Sequence, residues 1–411
     1  MPLAMSERRT SLLGALLVAI APVSMALYTP ALPTLVEAFD TTPAVVNLTL
    51  LVYFAGFALT QLVCGPLSDA YGRKPVTLAF LGLYVVGSVI AVLAPTIEWL
   101  VAARVVQGIG ASVGVATSRA IVRDQYVGEA SSRIMNAIGI MLAIAPAMAP
   151  TIGGLTLAVA DWHAIFVVML FAGLALLGIV LAFMRETTVG NPALAHPGSL
   201  LRSYRQLAGN LTFVTSVLTV AGSVGALYTL ATVLPYLLID RAGLTPAQFG
   251  LGMLAQSGSF LLGSVVMRGL MRRFSAYALV PAGLGCIALG SVLMALSIAF
   301  LPISYPSIMV PVAFYAFGIA FVMPAMTTAS LAPFPTIAGA AAAAMGFVQI
   351  GAGLVGGLVA TAIGDPVLGT QIVIPALGTT AIVSYWIFRR RTRVMAVPAR
   401  PSEPDPIHGV E

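Results

Sequence analysis

The sequence predicts an all-α integral membrane protein whose twelve transmembrane helices form two pseudo-symmetric bundles of six helices. Composition and the length of the apolar runs together predict this class. Of the 411 residues, 59% are hydrophobic and 8% are charged, whereas a soluble globular chain carries roughly 25% charged residues. Apolar runs of spanning length, about 20 residues, follow one another along the chain. The short connections between them leave no space for a soluble domain.

Polar or Pro/Gly-containing turns separate twelve of these runs. The first run follows Arg8 and Arg9 and has the small-residue ending of a signal peptide near Ala26. It continues at spanning length to Leu35, which favours a retained helix. The predicted spans cover residues 11–36, 44–67, 76–95, 99–120, 134–158, 164–184, 212–238, 247–267, 277–299, 306–331, 337–361 and 369–388.

The longest connection separates six spans from six. We therefore predict an N-terminal bundle over residues 1–184, a central cytoplasmic loop over 185–211, a C-terminal bundle over 212–388 and a cytoplasmic tail over 389–411. Two bundles of this kind are typical of transporters that bind their substrate near the bilayer midplane, between the halves.

Basic residues lie on alternate connections and near both ends of the chain, and they predict its orientation. Cytoplasmic loops of membrane proteins carry an excess of Lys and Arg, so both termini are expected in the cytoplasm. The net charge of +6 then reflects topology, and no nucleic-acid partner is predicted. These basic residues include Arg8, Arg9, Arg73, Lys74, Arg123, Arg133, Arg268, Arg272, Arg273, Arg389, Arg390, Arg391 and Arg393.

The cysteines and histidines are too few and too scattered for a disulfide framework or a metal cluster. Cys64 and Cys286 lie in apolar runs of opposite halves, and His163, His196 and His408 lie in predicted loops or the tail. We predict no cofactor and no metal.

The sharpest motif is the segment GPLSDAYGRK after the second span. Its glycines permit a tight turn between two helices, and its aspartate can interact with a helix N-terminus or a nearby arginine. The segment resembles the loop pattern G-x-L-a-D-x-x-G-R-[KR] of the major facilitator superfamily. This resemblance implies that the loop gates transport and that its aspartate meets the start of the span 337–361; alternatively, the loop only anchors topology. The candidate gating residues are Gly65, Asp69, Gly72, Arg73 and Lys74.

Arg104 is the single charge that we place near hydrocarbon depth. Burying it is costly unless it faces a cavity or a partner, which makes it a functional candidate; alternatively, it snorkels to the membrane interface. The segment RVVQGIGA, which begins at Arg104, resembles the family segment R-x-x-Q-G-x-G-a, whose arginine is linked to proton coupling.

The span 134–158 carries small residues four apart, which allow two helices to approach closely, and a proline that bends the helix. It resembles the antiporter pattern G-x-x-x-G-P-x-x-G-G, with alanines in place of both expected N-terminal glycines. The motif residues are Ala145, Ala149, Pro150, Gly153 and Gly154.

Three further segments are YTPALP at 28–33, SRAIVRD at 118–124 and GLTPAQFG at 243–250. They resemble the Bcr/CflA-type drug-resistance group among the twelve-helix drug:proton antiporters, and the resemblance covers nearly the whole chain. It implies a monomer that exports small amphipathic compounds across the bacterial inner membrane in exchange for protons.

One position departs from that group, which carries an aspartate just before YTPALP where this chain has Ala26. No Asp or Glu falls well inside any predicted span, so the usual membrane-embedded proton carrier is missing. Carboxylates nearer the helix ends, Asp69 among them, could exchange protons when partly desolvated. The coupling candidates are Arg104, Glu37, Asp40, Arg119 and Asp124.

Polar and aromatic residues at mid-helix depth mark the predicted substrate cavity, because buried amides and phenols need partners. For each of these residues, a structural hydrogen bond between helices is as good an interpretation as contact with the substrate. The low charge favours neutral or weakly charged amphipathic compounds, such as a phenicol-like drug, over polyanions. The cavity candidates are Tyr28, Asn47, Tyr53, Gln61, Gln107, Asn136, Tyr228, Gln256, Tyr315 and Gln349.

The sequence therefore predicts a secondary transporter that works by alternating access, with a small-molecule substrate, protons and the lipid bilayer as partners. A metabolite exporter or a proton-independent facilitator of the same fold is the alternative that Ala26 favours. A membrane enzyme is disfavoured because no His/Asp/Ser constellation, Gly-rich phosphate loop or paired carboxylates lie at membrane depth. A sensor would need a soluble output domain.

Overall fold

Helices make up the regular structure of this protein. The computed structural model describes residues 5–191 and 196–395, so His408 and the end of the predicted tail lie outside the described residues. Within that part of the chain there are helices and no strands, and twelve helices are long and apolar enough to cross a membrane. The predicted all-α, twelve-helix class is thus confirmed. In chain order the helices are α1 (Glu7–Ala38), α2 (Pro43–Tyr71), α3 (Arg73–Val92), α4 (Ile97–Gln125), α5 (Gly128–Val159), α6 (His163–Phe183), a short α7 (Pro197–Ala208), α8 (Leu211–Arg241), α9 (Pro246–Leu270), α10 (Ala276–Phe300), α11 (Tyr305–Leu331), α12 (Ala338–Ile363) and α13 (Pro366–Met395).

Several helices extend beyond the apolar spans predicted for them. α5 begins at Gly128 rather than at 134, and α13 continues to Met395 rather than ending at 388. The reason is that backbone hydrogen bonds and caps end a helix, whereas hydropathy marks only the part in hydrocarbon. At α9, for example, the Thr245 hydroxyl and the Gln248 side chain form a reciprocal capping box, which fixes the first turn.

The central segment, predicted as a loop, contains α7. Its start is capped by the His196 ring, whose Nδ1 accepts a hydrogen bond from the Gly198 amide at 3.2 Å. Leu207 is buried, and the Tyr204 hydroxyl donates to the Leu62 carbonyl at 2.6 Å. Burial raises the pKa of the Tyr204 phenol to about 12, so it stays protonated and can donate. The hydropathy pattern missed this helix because it is short and amphipathic.

Each half of the chain builds its own hydrophobic cluster. The first cluster draws almost entirely on α1 to α6 and includes the fully buried Leu17, Leu81 and Phe166. The second draws on α8 to α13. The halves meet chiefly where α5 packs on α9 and where α2 packs on α12. A space between two separately packed bundles is a natural place for a ligand site.

The two faces of the molecule differ in how the halves are joined. We call the face that carries the start of α1 and the end of α13 the terminal face, and the other the opposite face. Toward the opposite face, the Thr151 hydroxyl donates to the Gly250 carbonyl at 2.8 Å, and the Asn47 amide donates to Thr361 Oγ1 at 3.3 Å. These direct bonds close the opposite face between the halves.

Candidate functional site

The predicted gating loop folds into a compact ion-pair network, the loop cluster, on the terminal face. Gly72 has φ of +98°, a conformation that side-chain-bearing residues rarely adopt, and it lets α2 turn into α3. The buried Arg73 side chain forms an ion pair with Asp69 and donates from Nε to Asp124 Oδ2 at 2.9 Å. Gly65 has open space around it. The fold therefore brings Asp69, Arg73 and Asp124 together from α2, α3 and α4.

Glu186, just after α6, completes the loop cluster. Its two carboxylate oxygens accept the backbone amides of Arg73, at 2.9 Å, and Lys74, at 3.1 Å. These are orphan donors at the start of α3, where the helix dipole also favours a negative charge. Lys74 Nζ donates to the Leu181 carbonyl at 2.9 Å. Sequence reasoning missed Glu186, although it is the single acidic residue of the segment 185–211, which was an available signal.

The structure pairs Asp69 with arginines rather than with the start of α12. Besides Arg73, Arg123 Nη2 lies 3.5 Å from Asp69 Oδ1. Arg123 Nη1 lies 3.7 Å from the position that a Cβ would take at Gly339, in the first turn of α12. The loop cluster thus reaches the C-terminal half through Arg123.

Arg104 is fully buried inside the N-terminal bundle and does not reach an interface. Its guanidinium carbon lies 4.6 Å from the centroid of the Tyr28 ring and 4.3 Å from that of Tyr53, and such ring faces stabilise a cation. Nη1 donates to Gln107 Oε1 at 2.9 Å, and Gln107 in turn donates to Ser88 at 2.8 Å. Nε and Nη2 have no hydrogen-bond partner. The charge is therefore held by aromatic faces, with no carboxylate in contact within the described chain.

A cavity of about 390 Å³ lies between the two halves. Four of the predicted cavity residues line it, together with the coupling candidate Arg119: they are Tyr53, Gln61, Tyr228 and Gln349. Most of the remaining wall is apolar. Six of its residues were not predicted, namely Pro22, Met25, Phe57, Leu142, Phe260 and Met345. A Cβ at Gly346 would lie 2.6 Å from Gln61 Oε1, so this glycine provides the space for the Gln61 side chain.

The other predicted residues lie outside this cavity. The Tyr315 hydroxyl donates to the Gly222 carbonyl at 3.0 Å inside the C-terminal bundle, and Asn47 joins the halves toward the opposite face. Tyr28 and Gln107 surround Arg104. Asn136 is exposed on α5, Gln256 is half-buried on α9, and Glu37 and Asp40 are exposed at the opposite-face end of α1.

The small-residue motif of α5 lies where the halves touch most closely. A Cβ at Gly154 would overlap the Pro246 carbonyl at the start of α9, and one at Gly153 would overlap the Leu27 carbonyl of α1. Ala149 is buried, and Ala145 nearly so. Pro150 lies in the same turn of α5, and its carbonyl faces Gly250. The motif therefore forms the seam that closes the opposite face.

Comparison with known proteins identifies relatives over most of the chain. The family model of the Major Facilitator Superfamily matches residues 14–361. A chloramphenicol resistance protein of Pseudomonas aeruginosa is 30% identical over 324 residues, which are 78% of this chain and 76% of that protein. Multidrug resistance protein D of Escherichia coli (strain K12) is 27% identical over 344 residues, 84% of this chain and 86% of that one.

A transporter from another bacterium and a solved structure are also similar to this chain. An uncharacterized MFS-type transporter, YdgK of Bacillus subtilis (strain 168), is 32% identical over 260 residues; the match spans 61% of this chain and 64% of that protein, less than two thirds of its length. Among solved structures, the xylose transporter XylE from E. coli, in a partially occluded inward open conformation, has a TM-score of 0.71 at 12% identity, with 97% of this chain and 99% of that chain covered. At this identity the likeness concerns the fold.

Proposed function

Because the chain belongs to the Major Facilitator Superfamily, a family of transporters and not of enzymes, we propose that it exports small amphipathic drug-like compounds across the bacterial inner membrane. The observation that carries this proposal is the cavity between the bundles, whose wall combines aromatic rings with a few polar groups. Such a wall suits a compound with an apolar body and one or two polar groups. Similarity to a chloramphenicol resistance protein and to multidrug resistance protein D supports the same class of substrate.

The proposed orientation places the terminal face in the cytoplasm. Arg73, Lys74, Arg123 and Arg133 all lie on that face, and basic residues favour the cytoplasmic side of a membrane. The cavity includes Arg119, near the terminal-face end of α4, and Met345, near the terminal-face start of α12. With the opposite face closed, this supports entry of substrate from the cytoplasm.

Transport then proceeds by alternating access in a monomer, as the bundle over residues 1–184 rocks against that over 212–388. For the cavity to face outward, the seam between α5 and α9 must open, and the cytoplasmic ends of α2 and α12 must come together. The loop cluster lies at that point, and Arg123 is already next to Gly339. We therefore assign the loop cluster the role of a latch that stabilises one packing of the halves.

In the proposed mechanism, proton entry drives export. Asp69 and Asp124 of the loop cluster, together with Glu37 and Asp40, are the candidate proton carriers. A second candidate function is proton-independent export, of drugs or of metabolites. It is favoured by a specific observation: within the described chain, no carboxylate lines the cavity or contacts Arg104, and Ala26 takes the place of the expected aspartate.

The test is accumulation of a panel of antibiotics and dyes in efflux-deficient bacteria that express this chain, with and without a protonophore. We expect lower accumulation of at least one compound and a return to control levels when the proton gradient collapses. Export that persists under the protonophore would establish the second candidate instead. If no compound responds, the assignment to drug export is wrong.

A further inference from the structure

Arg119 occupies an unusual position in the wall of the cavity. It lies six residues before the end of α4, and its side chain faces the space between the bundles. In the described part of the chain its guanidinium has no ion-pair or hydrogen-bond partner. Arg73 and Arg133, by contrast, both pair with carboxylates. A charged residue of a transmembrane helix that faces a cavity between the bundles marks a functional site.

The charge of Arg119 is not balanced by any other group in the cavity wall. Every other lining residue is neutral, and no Asp or Glu is among them. Because the wall is largely apolar, it focuses the field of this single positive charge on whatever enters the cavity. A cationic compound would be repelled, whereas an anionic group would find the counterion that the protein does not supply.

Two neutral polar atoms add a second point of recognition. Gln61 Oε1 and Thr327 Oγ1 are buried and have no hydrogen-bond partner, and both residues line the cavity. Buried polar atoms without partners are rare in folded proteins. A ligand group that donates to Gln61 Oε1, or that exchanges a hydrogen bond with the Thr327 hydroxyl, would satisfy them. Gln61 belongs to α2 and Thr327 to α11, so such a ligand would contact both halves.

From this arrangement we propose that Arg119 is the specificity-determining residue of the cavity, and that the site prefers amphipathic compounds carrying one negative charge over cationic compounds of the same size. The anionic group pairs with Arg119 while the apolar body packs on Phe54, Phe57 and Tyr228. Polyanions are excluded because a single arginine cannot compensate their desolvation. This inference rests on the proposed function, since it takes the cavity as the substrate site.

The test uses the full chain in detergent and three probes of one shape: 2-naphthoate, which is anionic at neutral pH, neutral 2-naphthalenemethanol and cationic 2-naphthylmethylammonium. Binding is measured by calorimetry. We expect the wild type to bind the three in that order of affinity. Arg119→Gln should weaken 2-naphthoate binding about tenfold or more, the effect of a lost charge-assisted hydrogen bond, while 2-naphthalenemethanol binds as before. Arg119→Lys should restore part of the preference.

Arg272→Gln is the matched control, because Arg272 is exposed on the terminal face and does not line the cavity; it should bind all three probes like the wild type. Equal or tighter binding of the cationic probe, an unchanged preference in Arg119→Gln, or no binding of any probe would overturn the proposal. The two proposals fail separately. A preference for the anion without export in cells refutes drug export alone, and export without charge preference refutes the role of Arg119 alone.

Discussion

Replacing Gly154 by alanine should open the opposite face. A Cβ at this position overlaps the Pro246 carbonyl, a backbone atom that cannot move aside like the end of a flexible side chain. Overpacking of this kind costs about 1–3 kcal/mol. The cost falls only on the conformation in which α5 and α9 touch, so the population with the opposite face open should rise by a factor of roughly 5 to 150.

The rise can be measured as the labelling rate of a cysteine between α2 and α12, where the two halves also meet at the opposite face. The reporter is Asn47→Cys, in a chain whose Cys64 and Cys286 are replaced by alanine. Asn47 is 5% exposed and is hydrogen-bonded across the two halves. A membrane-impermeant maleimide should label this cysteine about tenfold faster in the Gly154→Ala version than in the version that keeps Gly154, in line with the larger population of the open state. Gly258→Ala in α9 is the control, because its Cβ meets open space. Equal labelling rates in the two versions would refute this packing argument.

Three further predictions concern the loop cluster and the buried arginine. Asp69→Asn should lower efflux, because it removes the ion pairs with Arg73 and Arg123. It keeps the side-chain shape, so the amount of protein in the membrane should not change. Efflux at the wild-type rate would exclude the latch role. Glu186→Ala should destabilise the detergent-solubilised protein by about 1–2 kcal/mol in thermal unfolding, because two amides of α3 lose their acceptor. Glu186→Gln keeps one acceptor oxygen and should lose less stability. Equal stability of the wild type and both variants would contradict the capping role of Glu186. Arg104→Lys should abolish most efflux, because an ammonium cannot stack between two rings as a planar guanidinium does. Tyr53→Phe keeps both ring faces and should retain more efflux. Equal efflux in both variants would refute the role assigned to the two rings.

The sequence was sufficient to predict the class, the number of helices and the family, because each rests on patterns that hydrocarbon imposes directly. A run of spanning length has no other common interpretation in so weakly charged a chain. The loop motif and the segment SRAIVRD were likewise informative, since Asp69 and Arg73 of the first meet Asp124 of the second in one network. The orientation, the domain bounds and the roles of these residues stay predictions.

It was harder to predict from the sequence which residues line the cavity. Tyr315 and Tyr228 are both phenols at mid-helix depth, yet the first is satisfied by a carbonyl within its own bundle and only the second lines the cavity. Sequence periodicity gives the face of a helix but not which neighbour covers it. Apolar wall residues such as Met25 and Phe57 carry no signal that separates cavity from core or lipid.

The central claim is that the cavity between the bundles is the path of export, and transport by the purified chain tests it most directly. We would reconstitute the wild type and Ala342→Trp into liposomes with an imposed pH gradient and measure the movement of radiolabelled chloramphenicol. Ala342 lines the cavity, so the larger side chain would fill part of it. We predict gradient-driven movement by the wild type and none by the equally inserted variant. Equal movement by both, or no movement of this or any other panel compound by the wild type, would contradict the claim.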